Sequence, residues 1–109
     1  MNVEKCIIVE GRSDKLKIIP LLAENATILC TNGTISEEDL ITLIEPYEHC
    51  DLYTMFDADK NGEKLRKLMK RCYSDAIQLV IPKQYIEVAE TPSAILLQLL
   101  EVAKFAVHK

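Results

Sequence analysis

Short apolar runs alternate along this chain with longer stretches in which apolar residues recur every three or four positions. The short runs are rich in β-branched residues and predict buried strands; they cover 6–9, 26–31, 51–56 and 76–81. The periodic stretches predict helices; they cover 13–24, 36–46, 63–73 and 92–107. Because proline cannot donate a backbone hydrogen bond, Pro20 and Pro46 should end the first two helices.

Strict alternation of strand and helix predicts an α/β fold, with a four-stranded parallel sheet, helices on both faces and right-handed crossovers. Placing the first and third strands side by side gives the order 2-1-3-4, with the switch in strand order between them. The segment 82–91 is predicted to be a loop or an edge strand. Thr91 is expected to cap the last helix, with Pro92 at its first position, and that helix should be largely buried.

Length and composition limit the class of protein. A chain of 109 residues, 49% hydrophobic and 28% charged, fits one globular domain over 1–109. A net charge of -4 argues against binding nucleic acid by bulk charge, but allows a local basic face. Low aromatic content disfavours a surface that stacks single-stranded bases. Without a signal peptide or a long apolar run, we expect a cytoplasmic protein with no membrane partner.

The cysteines and histidines suggest no separate chemistry at this stage. No two of the four cysteines form C-x-x-C, and three lie in apolar stretches, so we expect reduced, structural thiols. His49 and His108 are interpreted as surface residues. The sequence offers no nucleophile pairing for either histidine.

Acidic residues collect where two predicted strands end. Glu10 follows the first strand, and Asp57 and Asp59 follow the third. The carboxyl ends of parallel strands meet at one edge of a sheet, so these three carboxylates should gather there. Clustered carboxylates repel one another unless a cation lies among them, and hard oxygen donors suit Mg²⁺ or Mn²⁺. The alternative is that each acid is solvated or caps the next helix.

Two other families share part of this pattern. Asp57-x-Asp59-x-Asn61-Gly62 matches the first half of an EF-hand loop, but Leu68 stands where that loop needs a bidentate Glu, and a strand precedes it. A phosphoreceiver domain would need an acidic pair after the first strand and a fifth strand. Neither alternative is favoured.

Basic residues are concentrated beside the predicted acidic edge. Residues 60–71 hold six of the thirteen bases, and four of them share one helical face: Lys60, Lys64, Lys67 and Arg71. This face is predicted to hold a phosphate backbone, with Arg12 as a bidentate phosphate clamp. The alternative is a solvated helix face and a surface arginine.

The order of these motifs resembles the Toprim domain. Glu10-Gly-x-x-Asp14 follows an apolar strand, and a later strand ends in Asp57-x-Asp59-x-x-Gly62 before a basic helix. Asn32-Gly33 is similar to the family's middle glycine motif, and the resemblance covers roughly 3–82. Topoisomerases, bacterial primases, OLD-type nucleases, recombination mediators and ribosomal-RNA-maturing ribonucleases share this domain, and the last group is the most similar here.

The resemblance implies roles for individual residues. Glu10 would be the general acid or base and, with Asp57 and Asp59, a ligand of Mg²⁺ or Mn²⁺. Gly11 would let a phosphate approach the backbone. Asp14 would cap the first helix or assist the metal, and the turn glycines would support the site: Gly33 and Gly62. The ribonucleases carry a further C-terminal region, and 83–92 does not match the acidic motif of primases.

Three functions remain open from the sequence. The first is Mg²⁺-dependent phosphodiester chemistry on RNA or DNA, most similar to a nuclease, in a stand-alone Toprim domain. The second is a non-catalytic module that binds or regulates a nucleic-acid-processing complex, with a protein partner supplying substrate binding. The third, less favoured, is a small-molecule phosphate enzyme with the same acidic cluster.

Overall fold

The computed structural model describes residues 3–109 and confirms the predicted sheet. The strand order is β2-β1-β3-β4, and every pairing is parallel. The strands are β1 (Lys5–Val9), β2 (Thr27–Cys30), β3 (Asp51–Thr54) and β4 (Ile77–Gln78). The switch point between β1 and β3 is therefore where the sequence predicts it.

Four α-helices connect and follow these strands: α1 (Arg12–Ile18), α2 (Glu37–Ile44), α3 (Lys60–Cys72) and α4 (Ser93–Val102). Short 3-10 turns extend or separate them at Ile19–Leu21, Glu45–Tyr47, Lys83–Tyr85 and Val88–Glu90. Both predicted proline stops are confirmed, because Pro20 and Pro46 each lie in the 3-10 turn that follows a helix. Among residues 3–109, no helix has the length and hydropathy that crossing a bilayer requires.

Alternate residues of β1 face two separate cores. Ile7 and Val9 pack on one side of the sheet with α1, α4 and the buried Phe105. Cys6 and Ile8 pack on the other side with α2 and α3. A central strand covered on both faces must be apolar throughout, as this one is. The predicted placement of helices on both faces is therefore confirmed.

Several element boundaries differ from the prediction. Helix α3 begins at Lys60 rather than 63, because the Asp59 side chain accepts a hydrogen bond from Gly62 N and caps it. The fourth strand keeps two of its six predicted residues. The pairing of β4 with β3 ends at the hydrogen bond from Leu79 N to Thr54 O, because β3 itself ends at Thr54.

The last helix was predicted to be longer and more buried than it is. Helix α4 ends at Val102, whose side chain is 80% exposed, and only one face is buried. The cap assigned to Thr91 is also wrong. Its hydroxyl donates to Glu87 O instead, and the residue is completely buried beneath the turn before α4.

Candidate metal and nucleic-acid site

The carboxyl ends of β1 and β3 bring Glu10 beside Asp57. In the pairing of β1 with β3, Ile8 lies opposite Thr54, and Met55 N donates to Ile8 O. The two strands therefore end at the same level of the sheet. Glu10 is only 8% exposed. Its Oε2 accepts a hydrogen bond from Asp57 N at 2.6 Å, and its Oε1 accepts one from Asn61 Nδ2 at 2.7 Å. These two bonds fix the carboxylate across the switch point.

The turn after β2 closes the same edge. The backbone N–H groups of Asn32 and Gly33 both donate to Glu10 O, at 2.7 and 3.3 Å. Both residues have positive φ, 60° and 91°, which asparagine and glycine tolerate best. The Asn32-Gly33 pair is thus a left-handed turn that holds the backbone of Glu10 in place.

Asp57 and Asp59 lie at this edge but point to different partners. Asp57 Oδ1 accepts a hydrogen bond from Val88 N at 2.8 Å, and Asp59 Oδ1 accepts one from Gly62 N at 2.8 Å. Within residues 3–109, oxygens of Glu10, Asp57 and Asp59 do not all come within 4.8 Å of one another. The three acids are neighbours, and each carboxylate is directed by its own backbone donor.

Burial and repulsion from neighbouring acids disfavour charge on Glu10 and Asp57. Burial raises the pKa of Glu10, and the charges of Asp57 and Asp59 raise it further. Burial likewise raises the pKa of Asp57, with Asp59 adding to it. The hydrogen bonds from Asp57 N and Asn61 oppose the shift at Glu10 without cancelling it. The edge therefore holds negative charge that a bound cation would stabilise.

This donor set fits Mg²⁺ or Mn²⁺. Mg²⁺ takes oxygen ligands and uses one or two carboxylates together with waters and phosphate oxygens, so it does not need all three acids on one ion. Glu10, Asp57 and Asp59 supply only oxygen donors. Burial raises the pKa of Glu10 and of Asp57, and a divalent cation bound there would favour their charged forms. A hard divalent cation is the group that this chemistry suits.

Asp14 has the capping role that was one of its two predicted roles. Its Oδ2 accepts a hydrogen bond from Gly11 N at 3.0 Å, inside the first turn of α1. The residue is 5% exposed, and burial followed by the Asp57 charge raises its pKa. The Gly11 N–H is thus bonded to the Asp14 side chain, and the close approach of a phosphate to the Gly11 backbone stays a prediction. Arg12 is exposed at the first position of that helix.

The predicted basic face divides into two parts. Lys60 and Lys64 are exposed on the first turns of α3, next to the acidic edge, and form no ion pair within residues 3–109. Lys67 pairs with Glu63 at 3.7 Å. Arg71 pairs with Glu37 of α2 at 2.9 Å, and the helical rise places it about 16 Å along the axis from Lys60.

Two residues at the edge were absent from the predicted site. Asn61 fixes Glu10 as described, and it also accepts a hydrogen bond from the Thr34 hydroxyl at 2.7 Å. Arg66 Nη1 donates to Asp57 O at 2.9 Å, and its positive charge partly opposes the rise in the pKa of Asp57. The sequence signal for Asn61 was its place in the polar run Asp57-x-Asp59-x-Asn61 after a predicted strand. Arg66 gave no signal beyond its place in a basic helix.

Comparison with known proteins gives the same family as the motifs. The sequence model described as the Toprim domain matches residues 5–91, which include every acid of the edge. The chain is 44% identical over 107 residues to "Uncharacterized protein YusF" of Bacillus subtilis strain 168, covering 98% of this chain and 73% of that protein. It is also 36% identical over 70 residues to "Ribonuclease M5 1" of Ligilactobacillus salivarius strain UCC118.

The match to that ribonuclease covers 63% of this chain and 37% of the ribonuclease's length. A solved structure, "Structure of small TOPRIM domain protein from Bacillus stearothermophilus", superposes with a TM-score of 0.93 at 47% identity. The superposition covers 99% of this chain and 92% of the other. The chain belongs to the Toprim domain family.

Proposed function

We propose that this chain carries out Mg²⁺-dependent hydrolysis of nucleic-acid phosphodiesters in the cytoplasm. The observation that carries the proposal is the position of Glu10, which is 8% exposed and fixed by Asp57 N and Asn61 Nδ2 beside two further acids. The family match and the similarity to a protein named Ribonuclease M5 support nucleic acid as the substrate.

Each residue has a definite part in this chemistry. Glu10 accepts the proton of the attacking water on a remaining carboxylate lone pair, and its raised pKa makes it a stronger base than an ordinary glutamate. Asp57 and Asp59 hold Mg²⁺ or Mn²⁺. When bound, such an ion stabilises negative charge on the phosphate and lowers the pKa of the attacking water. Lys60, Lys64 and Arg12 hold the flanking phosphates by charge.

A non-catalytic role has one observation in its favour. Both Glu10 oxygens, Asp57 Oδ1 and Asp59 Oδ1 already accept hydrogen bonds from groups of the chain itself. Such an edge is stable without substrate. A module that binds nucleic acid and recruits or regulates a larger complex would need no more than this edge and the basic residues beside it.

Cleavage assays distinguish the two functions. The purified full chain is incubated with single-stranded and duplex RNA and DNA, with Mg²⁺, Mn²⁺ or EDTA. The proposal expects metal-dependent products, a loss of about 10²- to 10⁴-fold in rate for Glu10→Gln, and full activity for Asp51→Asn at the opposite end of β3. Retained binding without products under every metal would overturn the nuclease and leave the binding module.

A further inference from the structure

A second group of metal-ligating side chains lies at the opposite end of the sheet from the acidic edge. Register places Lys5 of β1 opposite Asp51 of β3, so the residues just before them, Glu4 and Cys50, also lie side by side. Asp51 N donates to Glu4 O at 2.9 Å and holds this alignment. His49 completes the group from the turn that precedes β3. None of these residues belongs to the proposed phosphodiester site.

The three donor atoms are close to the separations that a tetrahedral zinc site requires. Cys50 Sγ lies 3.6 Å from His49 Nε2 and 3.9 Å from Glu4 Oε2. Zinc bonds of about 2.0 Å to N or O and about 2.3 Å to S, at tetrahedral angles, place ligand atoms about 3.3–3.6 Å apart. His49 Nε2 and Glu4 Oε2 are hydrogen-bonded at 2.5 Å, so a small opening of this exposed pair completes the triangle.

We propose that Glu4, His49 and Cys50 form a Zn²⁺ site with its fourth coordination position open to solvent. One thiolate, one imidazole and one carboxylate are the donor types that Zn²⁺ accepts, whereas Mg²⁺ rejects sulfur and nitrogen donors in favour of oxygen. The acidic edge and this site are therefore selective for different metals. The proposal does not depend on the proposed nuclease function.

Exposure of two of the three ligands leaves the site accessible to an ion from solvent. The side chains of His49 and Glu4 are 61% and 70% exposed, whereas Cys50 is 8% exposed and fixes the inner side of the site. His49 and Cys50 also line a cleft of about 630 Å³ between the amino ends of β3 and β4. The neighbouring Lys5 ammonium does not occupy the site, since it bonds Glu24 and Lys104 O. A Zn²⁺ ion would tie the start of β1 to the turn before β3.

Cobalt provides a direct readout of the thiolate ligand. The full-length reduced chain is titrated with Co²⁺, and the proposal expects one equivalent to produce a thiolate-to-cobalt charge-transfer band in the near ultraviolet, which Zn²⁺ then removes. Cys50→Ser should abolish this band. Cys72→Ser, a control that removes a more exposed thiol than Cys50, should leave it unchanged.

Competition with a chromophoric zinc chelator measures the affinity. We expect Cys50→Ser and His49→Gln each to weaken Zn²⁺ binding by more than the roughly 10- to 100-fold that loss of an outer-shell partner costs. The exposed His49 variant preserves folding even if the buried Cys50 variant does not. Asp57→Asn with Asp59→Asn should bind Zn²⁺ as tightly as wild type. The site would be overturned if the His49 and Cys50 variants bound Zn²⁺ as tightly as wild type. It would also be overturned if the variant with both Asp57→Asn and Asp59→Asn lost Zn²⁺ binding.

Discussion

Gly62 lies so close to the backbone of Asp57 that a Cβ atom on it would stand 1.8 Å from the Asp57 carbonyl oxygen. The first turn of α3 therefore packs directly on the end of β3. This contact brings Asn61 to Glu10 and Arg66 to Asp57 O. A side chain at position 62 would separate the helix from the strand end that carries the acidic residues.

Substitution of this glycine should damage both stability and the site. Because backbone atoms cannot move away cheaply, we expect Gly62→Ala to lower the free energy of unfolding by about 3 kcal/mol and to abolish metal-dependent stabilisation. Gly11→Ala is the matched control, since its Cβ would be 3.9 Å from Asp14 Oδ2 and its φ is -146°. Chemical denaturation measures the free energy of unfolding of both variants. Equal losses of stability in Gly62→Ala and Gly11→Ala would contradict the prediction.

Metal should stabilise the chain through Asp57. A ligand that binds only the native state at ten times its Kd adds about 1.4 kcal/mol, or roughly 6 °C in Tm for a domain of this size. We expect excess Mg²⁺ to produce such a rise in the wild type and Asp57→Asn to remove most of it. The asparagine Oδ1 can still accept the hydrogen bond from Val88 N, so the 3-10 turn that begins at Val88 should stay attached to residue 57.

Without metal, the same Asp57→Asn variant should be slightly more stable than wild type. Relief of partly exposed like-charge contacts is worth about 0.2–1 kcal/mol, and Asp57 has a raised pKa from burial and from Asp59. Asp51→Asn, in an exposed position at the start of β3, should respond to Mg²⁺ as wild type does. Thermal scans with EDTA and with Mg²⁺ separate the two effects; an unchanged Mg²⁺ response in Asp57→Asn would remove it from the ligand set.

Glu24 gives the fold a pH dependence independent of the acidic edge. Its carboxylate accepts hydrogen bonds from Ala106 N at 2.6 Å and from Lys5 Nζ at 3.2 Å, and these partners, Ala106 first, lower its pKa. A carboxyl with a lowered pKa stabilises the native state above its unfolded pKa, and that stabilisation is lost as the pH falls through the folded pKa.

We therefore expect Glu24→Gln to lower the free energy of unfolding by about 0.5–1 kcal/mol at pH 7. The difference from wild type should shrink as the pH falls below the ordinary glutamate value. Glu101→Gln breaks an exposed pair with Lys109 and should leave stability unchanged. Denaturant unfolding curves from pH 7 to pH 3 measure this, and a difference that does not shrink over that range would contradict the assignment to Glu24 ionisation.

The sequence predicts the sheet well because its strongest signals are local. Four apolar runs and their order determine the α/β class, and the placement of Glu10 and Asp57 at strand ends follows from parallel pairing. Element ends depend on side-chain contacts that periodicity does not show. Asp59 caps α3 at an earlier residue than the apolar pattern indicates. The Thr91 hydroxyl donates to Glu87 O and therefore does not cap α4.

The residues that the sequence analysis missed act through contacts between separate elements. Asn61 reaches Glu10 across the switch point, and Arg66 turns back to Asp57 O. The cysteine spacing offered no metal pattern, yet strand register places Cys50 beside Glu4, 46 residues away, with His49 next to both. Such a group becomes visible only when the pairing of β1 with β3 is known.

The two parts of the basic face should differ in their effect on nucleic-acid binding. The chain has a net charge of -4, so binding must come from a local surface. Lys60, Lys64 and Arg12 lie beside the acidic edge, whereas Lys67 and Arg71 pair with Glu63 and Glu37. Each phosphate neutralised on a duplex contributes about -0.9 to the slope of log K against log salt, and about -0.7 on a single strand.

We therefore expect the triple variant Arg12→Gln, Lys60→Gln and Lys64→Gln to lose about two to three units of salt slope. Glutamine keeps helix propensity, and these positions are exposed, so folding should be unchanged. The matched variant Lys67→Gln, Lys70→Gln and Arg71→Gln removes the same charge further along α3 and should lose less slope, because these cations lie further from the acidic edge. Fluorescence anisotropy over a range of salt concentrations measures both. Equal losses of salt slope would mean that the phosphate backbone contacts α3 along its whole length and not only at its first turns. If neither variant lost slope, the basic face would be a solvated surface that does not bind nucleic acid.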